Sequence, residues 1–230
     1  MPSYNTCVMR KVILSTVALA LSSPAYAIGF YVEGNAGMGL FSHGSVYVRS
    51  EMNGDASEST YDYTGKANLF GMALSGGVSL APAPVLLGVG MAFYTGSGKS
   101  EGTVGGFKVT SEWNSTLVRI SVPVSYRMDV VPLTLLIGVA PSYNSMTFTN
   151  KDGGDSETYG GIGIGLFGKG YVKLGPLGVG GGVSLDYVPA LSRTEETTVL
   201  GQTVTTTTTL KGNATLGINL GFLFLTGILE

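Results

Sequence analysis

Residues 214–224 read Ala-Thr-Leu-Gly-Ile-Asn-Leu-Gly-Phe-Leu-Phe. Leu216, Ile218, Leu220, Phe222 and Phe224 occupy alternate positions, with Thr215, Asn219 and glycines between them. Period two puts these sets on opposite faces of a β-strand. Residues 30–41 repeat the pattern, with Phe30, Val32, Met38 and Leu40 set against Tyr31, Glu33, Asn35 and Gly37. So do residues 115–127, where Val118, Ile120, Val122, Val124 and Tyr126 alternate with Ser115, Arg119, Ser121 and Ser125. Segments 68–80, 85–94, 133–145, 161–173 and 177–187 read the same way. Eight strands are expected.

The connections differ in a regular way. Short ones fall at 81–84, 128–132 and 174–176, and long polar ones at 42–66, 97–112, 149–159 and 190–209. Pro84, Pro132 and Pro176 each precede a new apolar strand, a position where the missing N–H is tolerated. Thr205–Thr209 is a β-prone polar run, expected to extend the last hairpin beyond the apolar zone. An even number of strands with tight turns at one end and long loops at the other describes a transmembrane β-barrel.

A two-sheet sandwich also alternates, so the polar face must discriminate. Glu33, Arg119, Arg127, Lys169, Lys173, Asp186 and Lys211 all fall opposite the bulky apolar set. Otherwise that face holds mainly Gly, Ala and Ser, as at Gly37, Ala73, Ser75, Gly88, Gly163 and Gly217. A sandwich would show a wet face rich in Lys, Glu and Thr. Small residues suit the concave side of a narrow closed sheet, and the bulky face suits lipid. The expectation is an all-β, eight-stranded antiparallel barrel over residues 28–230, with short periplasmic turns and long extracellular loops.

Composition agrees. Of 230 residues 36 are Gly, and 12% are charged, against about 25% in a soluble domain. A formal charge of −2 gives no basic field for nucleic acid. One Cys and one His exclude a disulfide framework and a multi-His metal site. At the N-terminus Arg10 and Lys11 precede an apolar run from Val12 to Leu21, followed by Ala25-Tyr26-Ala27. That is the layout of a secretory signal peptide over residues 1–27, with cleavage after Ala27.

The assembled pattern resembles the small eight-stranded outer-membrane barrels, the group of OmpX/Ail-, OmpA- and OmpW-like proteins. The resemblance covers the mature chain. It rests on Gly-Phe-Tyr-Val-Glu-Gly-Asn-Ala-Gly (29–37), Ser-Val-Pro-Val-Ser-Tyr-Arg (121–127) and Gly-Ile-Asn-Leu-Gly-Phe-Leu-Phe (217–224). It implies an outer-membrane location after export, with outer-membrane lipid, lipopolysaccharide and the barrel assembly machinery as partners. Such barrels commonly end on an aromatic residue, whereas this chain continues from Phe224 through Leu225 to Glu230.

The chemistry is sparse. His43 with Ser42, Asp55 and Ser57 on the first long loop resembles in outline the lipid A palmitoyltransferase barrels. An exposed loop histidine explains it more simply, and no enzyme is expected. The loop acids lack calcium-loop spacing, and no metal or other cofactor is implied. Glu33, Arg119, Lys169, Asp186 and Lys211 are expected in the lumen as ion pairs or pore lining, with Glu33 pairing Arg119 and Lys169 competing. With so many small interior residues, a narrow pore or small-molecule conduit is the leading expectation. A loop-borne adhesin is the alternative, and a lipid-modifying enzyme a third.

Overall fold

The computed structural model describes residues 28–80, 83–104, 107–199 and 201–226. The expected signal peptide and its cleavage site lie outside the described residues. Eleven strands follow in chain order: β1 (Ile28–His43), β2 (Val46–Met52), β3 (Asp55–Tyr61), β4 (Tyr63–Leu80), β5 (Val85–Val104), β6 (Phe107–Ser121), β7 (Val124–Val130), β8 (Leu133–Asn150), β9 (Ser156–Leu174), β10 (Leu177–Val199) and β11 (Gln202–Leu225). Every ladder is antiparallel. They run from β1 through β4, β5, β6 with β7, β8, β9 and β10 to β11. β11 then pairs back with β1, from Tyr31 opposite Leu225 to Ser42 opposite Ala214. The sheet is closed, and its walls are the eight expected.

β6 and β7 form one wall interrupted at Val122 and Pro123, since both pair with β5 and β8. Pro123 has no N–H to give the ladder. Bonding continues around the break: Val122 N donates to Pro141 O at 2.9 Å, and Gly88 N donates to Pro123 O at 3.0 Å.

The strands run well past the alternating segments. β11 has 24 residues, where about 9–11 would cross a bilayer. Most of what reads as long loop is therefore strand. The hairpin of β2 and β3 rises above β1 and β4, and β2 pairs with β11 from Val46 opposite Leu210 to Met52 opposite Val204. β10 and β11 keep one register up to Val199 opposite Gln202, with Pro189 and Gly212 skipped, so the threonine run extends the last hairpin as expected. Five consecutive threonines, Thr205 to Thr209, suit a strand wet on both faces.

Outward side chains form an apolar belt: Phe30, Val32, Met38 and Leu40 on β1, Ile162, Ile164 and Leu166 on β9, and Leu216, Ile218, Leu220, Phe222 and Phe224 on β11 are all exposed. Phe30, Tyr126, Phe222 and Phe224 ring the short-turn end, and Phe93 and Tyr187 mark the other edge. Tyr143 and Val122 also belong to the outward set but are half-buried. Leu220 sits midway along the outward row of β11 with 73% of its surface exposed. Leu220→Arg is expected to cost about 2–4 kcal/mol in urea unfolding from lipid vesicles, the cost of an arginine near the hydrocarbon midplane. A cost below about 1 kcal/mol would put this row at the interface or in water.

Candidate functional site: the lumen and its long-hairpin mouth

Two apolar layers cross the interior. At the short-turn end Tyr31, Leu86, Leu136, Tyr171 and Leu223 pack together, all buried. Toward the long hairpins a larger cluster includes Phe41, Leu69, Trp113, Leu117, Met146 and Leu191. Between them lies a polar layer around a cavity of about 100 Å3, bordered by Glu33, Arg119, Lys169, Asp186 and Asn219.

Two separate ion pairs occupy this layer. Arg119 Nη1 meets Asp186 Oδ2 at 2.7 Å, with both side chains close to nine-tenths buried. Arg119 Nε also donates to Asn144 Oδ1 at 2.8 Å. Glu33 pairs with Lys169 and accepts hydrogen bonds from Tyr171 Oη and Asn35 Nδ2, each at 2.7 Å. Lys169 Nζ also lies 4.8 Å from the Phe167 ring centroid. The expected pairing of Glu33 with Arg119 is thus overturned. Burial demands a partner for each ion, but inward direction alone does not choose between Asp186 and Glu33. Asp186 meets Arg119 across the lumen, and Lys169 takes Glu33.

Lys211 is a second correction, because it does not enter the lumen. Gly212 adopts φ 65° and breaks the alternation of β11, so Leu210 and Asn213 both point inward and Lys211 is exposed. Its ammonium lies 4.6 Å from the Tyr47 ring centroid. No residue is inserted: β11 keeps one register with β10 across Gly212, and β10 loses its alternation at the same level, where Val188 and Leu191 are both buried.

At the short-turn rim Asp129 binds Lys173 at 2.7 Å and Arg127 at 3.0 Å, and accepts from Thr134 Oγ1 at 2.7 Å. Burial alone would raise the Asp129 carboxyl. The Lys173 and Thr134 hydrogen bonds and the two cations hold it below its ordinary value instead.

The other mouth contains His43, three residues beyond the last belt residue of β1. His43 is buried, against the expectation of an exposed loop residue. Its Nδ1 donates to Gly44 O at 2.9 Å, which leaves Nε2 to face Ser100 Oγ at 3.4 Å. Trp113 Nε1 donates to the same oxygen at 2.7 Å. His43 lies opposite Gly65 on β4, and Gly65 lies opposite Ser100 on β5. A side chain at Gly65 would overlap both, so glycine lets two strands touch across a third. Asp55 and Ser57 stand exposed on β3, and neither approaches His43 by hydrogen bond. Burial lowers the His43 pKa from its usual 6.5, and the Gly44 hydrogen bond opposes the shift.

No protein-family model matches the sequence, and no curated protein does. Solved structures do. A major outer membrane protein from Thermus thermophilus aligns over 87% of this chain and 100% of its own, at 18% identity and a TM-score of 0.51. The outer membrane protein OprG from Pseudomonas aeruginosa aligns over 87% of this chain and 97% of its own, at 10% identity and a TM-score of 0.50. The chain has the fold of the small eight-stranded outer-membrane β-barrels.

In a double-mutant cycle read by urea unfolding in lipid vesicles, Arg119→Met and Asp186→Asn should couple by more than about 1 kcal/mol. Arg119→Met with Glu33→Gln should add within about 0.5 kcal/mol. The reverse ranking would reinstate the Glu33 to Arg119 pair. For His43, the unfolded chain takes up the proton first as pH falls. Its contribution to stability is therefore complete above the ordinary pKa near 6.5 and is lost as pH drops from there toward the lowered folded value. His43→Gln should flatten the slope of stability between about pH 7.5 and pH 5. An unchanged slope would mean that His43 is not buried as a neutral ring.

Proposed function

We propose that this chain is a non-enzymatic outer-membrane protein that acts at the cell surface through its extracellular β-extension, with a lumen that does not conduct. Export would remove residues 1–27, and the barrel assembly machinery would insert the rest in the bilayer with the long hairpins outside. The observation that carries this reading is the pair of apolar layers. A conduit needs a continuous wet path, and Leu69, Leu86, Leu136 and Met146, each at most 1% exposed, lie across it. The small interior residues that favour a pore in the sequence are matched by bulky ones on neighbouring strands. The ions between the layers are paired, as structural ions are.

The extension has a surface suited to recognition. β10, β11, β2 and β3 form a four-stranded sheet above the barrel, and β3 ends it. All seven residues of β3 are exposed. It is paired on one side with β2, and among the described residues no strand pairs with its other side. An open edge offers unpaired backbone groups to a partner strand. Asp55 and Glu58 make it polar and acidic, which discourages indiscriminate pairing. Catalysis finds little support at the mouth: Ser100 is 4% exposed, its contact with His43 is long, and its oxygen is already held by Trp113.

Planar bilayers test the closed lumen. Inserted protein, with folding verified by heat-modifiable gel migration, should be electrically silent. Stepwise openings altered by Arg119→Ala or Lys169→Ala would overturn the proposal and favour a narrow conduit. For the surface role, deleting residues 46–61 should leave the heat-modifiable barrel intact and abolish protein-dependent attachment of cells to surfaces. Undiminished attachment would overturn that part.

A further inference from the structure

We propose that an outward groove above the apolar belt binds the phosphate groups of an outer-leaflet lipid. This rests on the outer-membrane placement proposed above and names a ligand for one face of the barrel. β4 and β5 pair so that Lys66 stands directly opposite Lys99, both outward and exposed. Like charges at directly opposed positions destabilise a sheet, so this juxtaposition calls for an anion. Glu112 on β6 is opposite Lys99 in the next ladder. It pairs with Lys99 at 3.1 Å and with Lys151 at 3.3 Å. Hydrogen bonds from Lys99 and Lys151 hold its carboxyl below the ordinary range. One carboxylate is thus shared by two lysines. Among the described residues Lys66 has no carboxylate within ion-pair distance.

The groove containing these residues has a volume of about 850 Å3, and Leu40 and Leu216 line it as well. Those leucines belong to the apolar belt. The same concavity therefore runs from a surface suited to acyl chains to a row of ammonium groups. A soluble anion would use the upper part alone, whereas a lipid with a phosphorylated headgroup would use both. The height also fits. Along β4 the outward residues pass from Phe70 in the belt through Asn68 to Lys66, which stands roughly 10 Å above the belt on a tilted strand. A lysine at that height reaches headgroup phosphates, and its stem can lie along the apolar wall. Glu101, which also lines the groove, sits one outward position beyond Lys99, away from the belt.

The test uses the folded full-length mature barrel in detergent micelles, with native mass spectrometry counting bound bis-phosphorylated lipid A. Lys66→Ala with Lys99→Ala should weaken binding by roughly 30-fold, about fivefold for each lysine near an anionic surface. Lys211→Ala, an outward lysine outside the groove, should leave it unchanged. Dephosphorylated lipid A should bind the wild type as weakly as phosphorylated lipid A binds the double variant, and inorganic phosphate should not compete. Equal binding of both lipids, or no effect of the double variant, would overturn the site. Competition by inorganic phosphate would assign the lysines to a soluble anion and overturn the lipid. Failure to form a heat-modifiable barrel would instead count against the membrane placement, so the two failures are distinguishable.

Discussion

Closure of the backbone hydrogen-bond ladder is the constraint on which the rest of this structure depends. A strand inside a bilayer has no water for its N–H and C=O groups, and an open sheet edge there would cost several kcal/mol for each unpaired group. The ladder between β1 and β11 removes both edges at once. It explains why the chain returns to its start with Gly217 to Phe224, and why Pro123 is accommodated by bonds to neighbouring strands rather than left as a gap. Above the belt water takes over, and there the sheet can open: β3 keeps a free edge where solvent can satisfy it.

Closure with eight walls also sets the interior. So small a barrel has room for side chains and little else, so each wall's inward residues must fit those of its neighbours. Glycine supplies the fit. A Cβ at Gly98 would overlap the Trp113 ring, one at Gly88 the Tyr31 hydroxyl, and one at Gly165 the Asp186 carboxylate. Small residues are the sockets for large ones one or two strands away. The same matching buries the ions, so that Asp186 reaches Arg119 over the bare backbone of Gly165.

Period two is legible because the outward and inward faces differ so sharply. Strand number, facing and the short-turn end all follow from residues such as Ile162, Leu216 and Tyr126. The inward direction of Glu33, Arg119, Lys169 and Asp186 followed from the same parity. Their pairing did not, because which ions meet across a lumen depends on shear and register, and those are properties of the closed ring. Lys211 escapes the parity for a local reason, since the positive φ of Gly212 interrupts the alternation without shifting the register. The two apolar layers are easily overlooked when glycines are counted as space, although Leu69, Leu86, Trp113 and Leu136 stand at inward parity throughout. The burial of His43 depends on Gly65 and Ser100, which are 22 and 57 residues away in the chain and adjacent only through the ladders.

Accessibility of the polar layer is the most direct measure of a lumen closed at both ends. Ser75 donates to Glu33 at 3.4 Å, and the one cysteine of the chain, Cys7, lies in the expected signal peptide. Ser75→Cys therefore places a single thiol of nearly unchanged size between the two apolar layers. A charged, membrane-impermeant thiol reagent added to the barrel in vesicles should fail to label it until urea unfolds the protein, while Ser57→Cys on β3 reacts at once. Rapid labelling of Ser75→Cys in the folded barrel would contradict the account and mean that the layers admit water and ions.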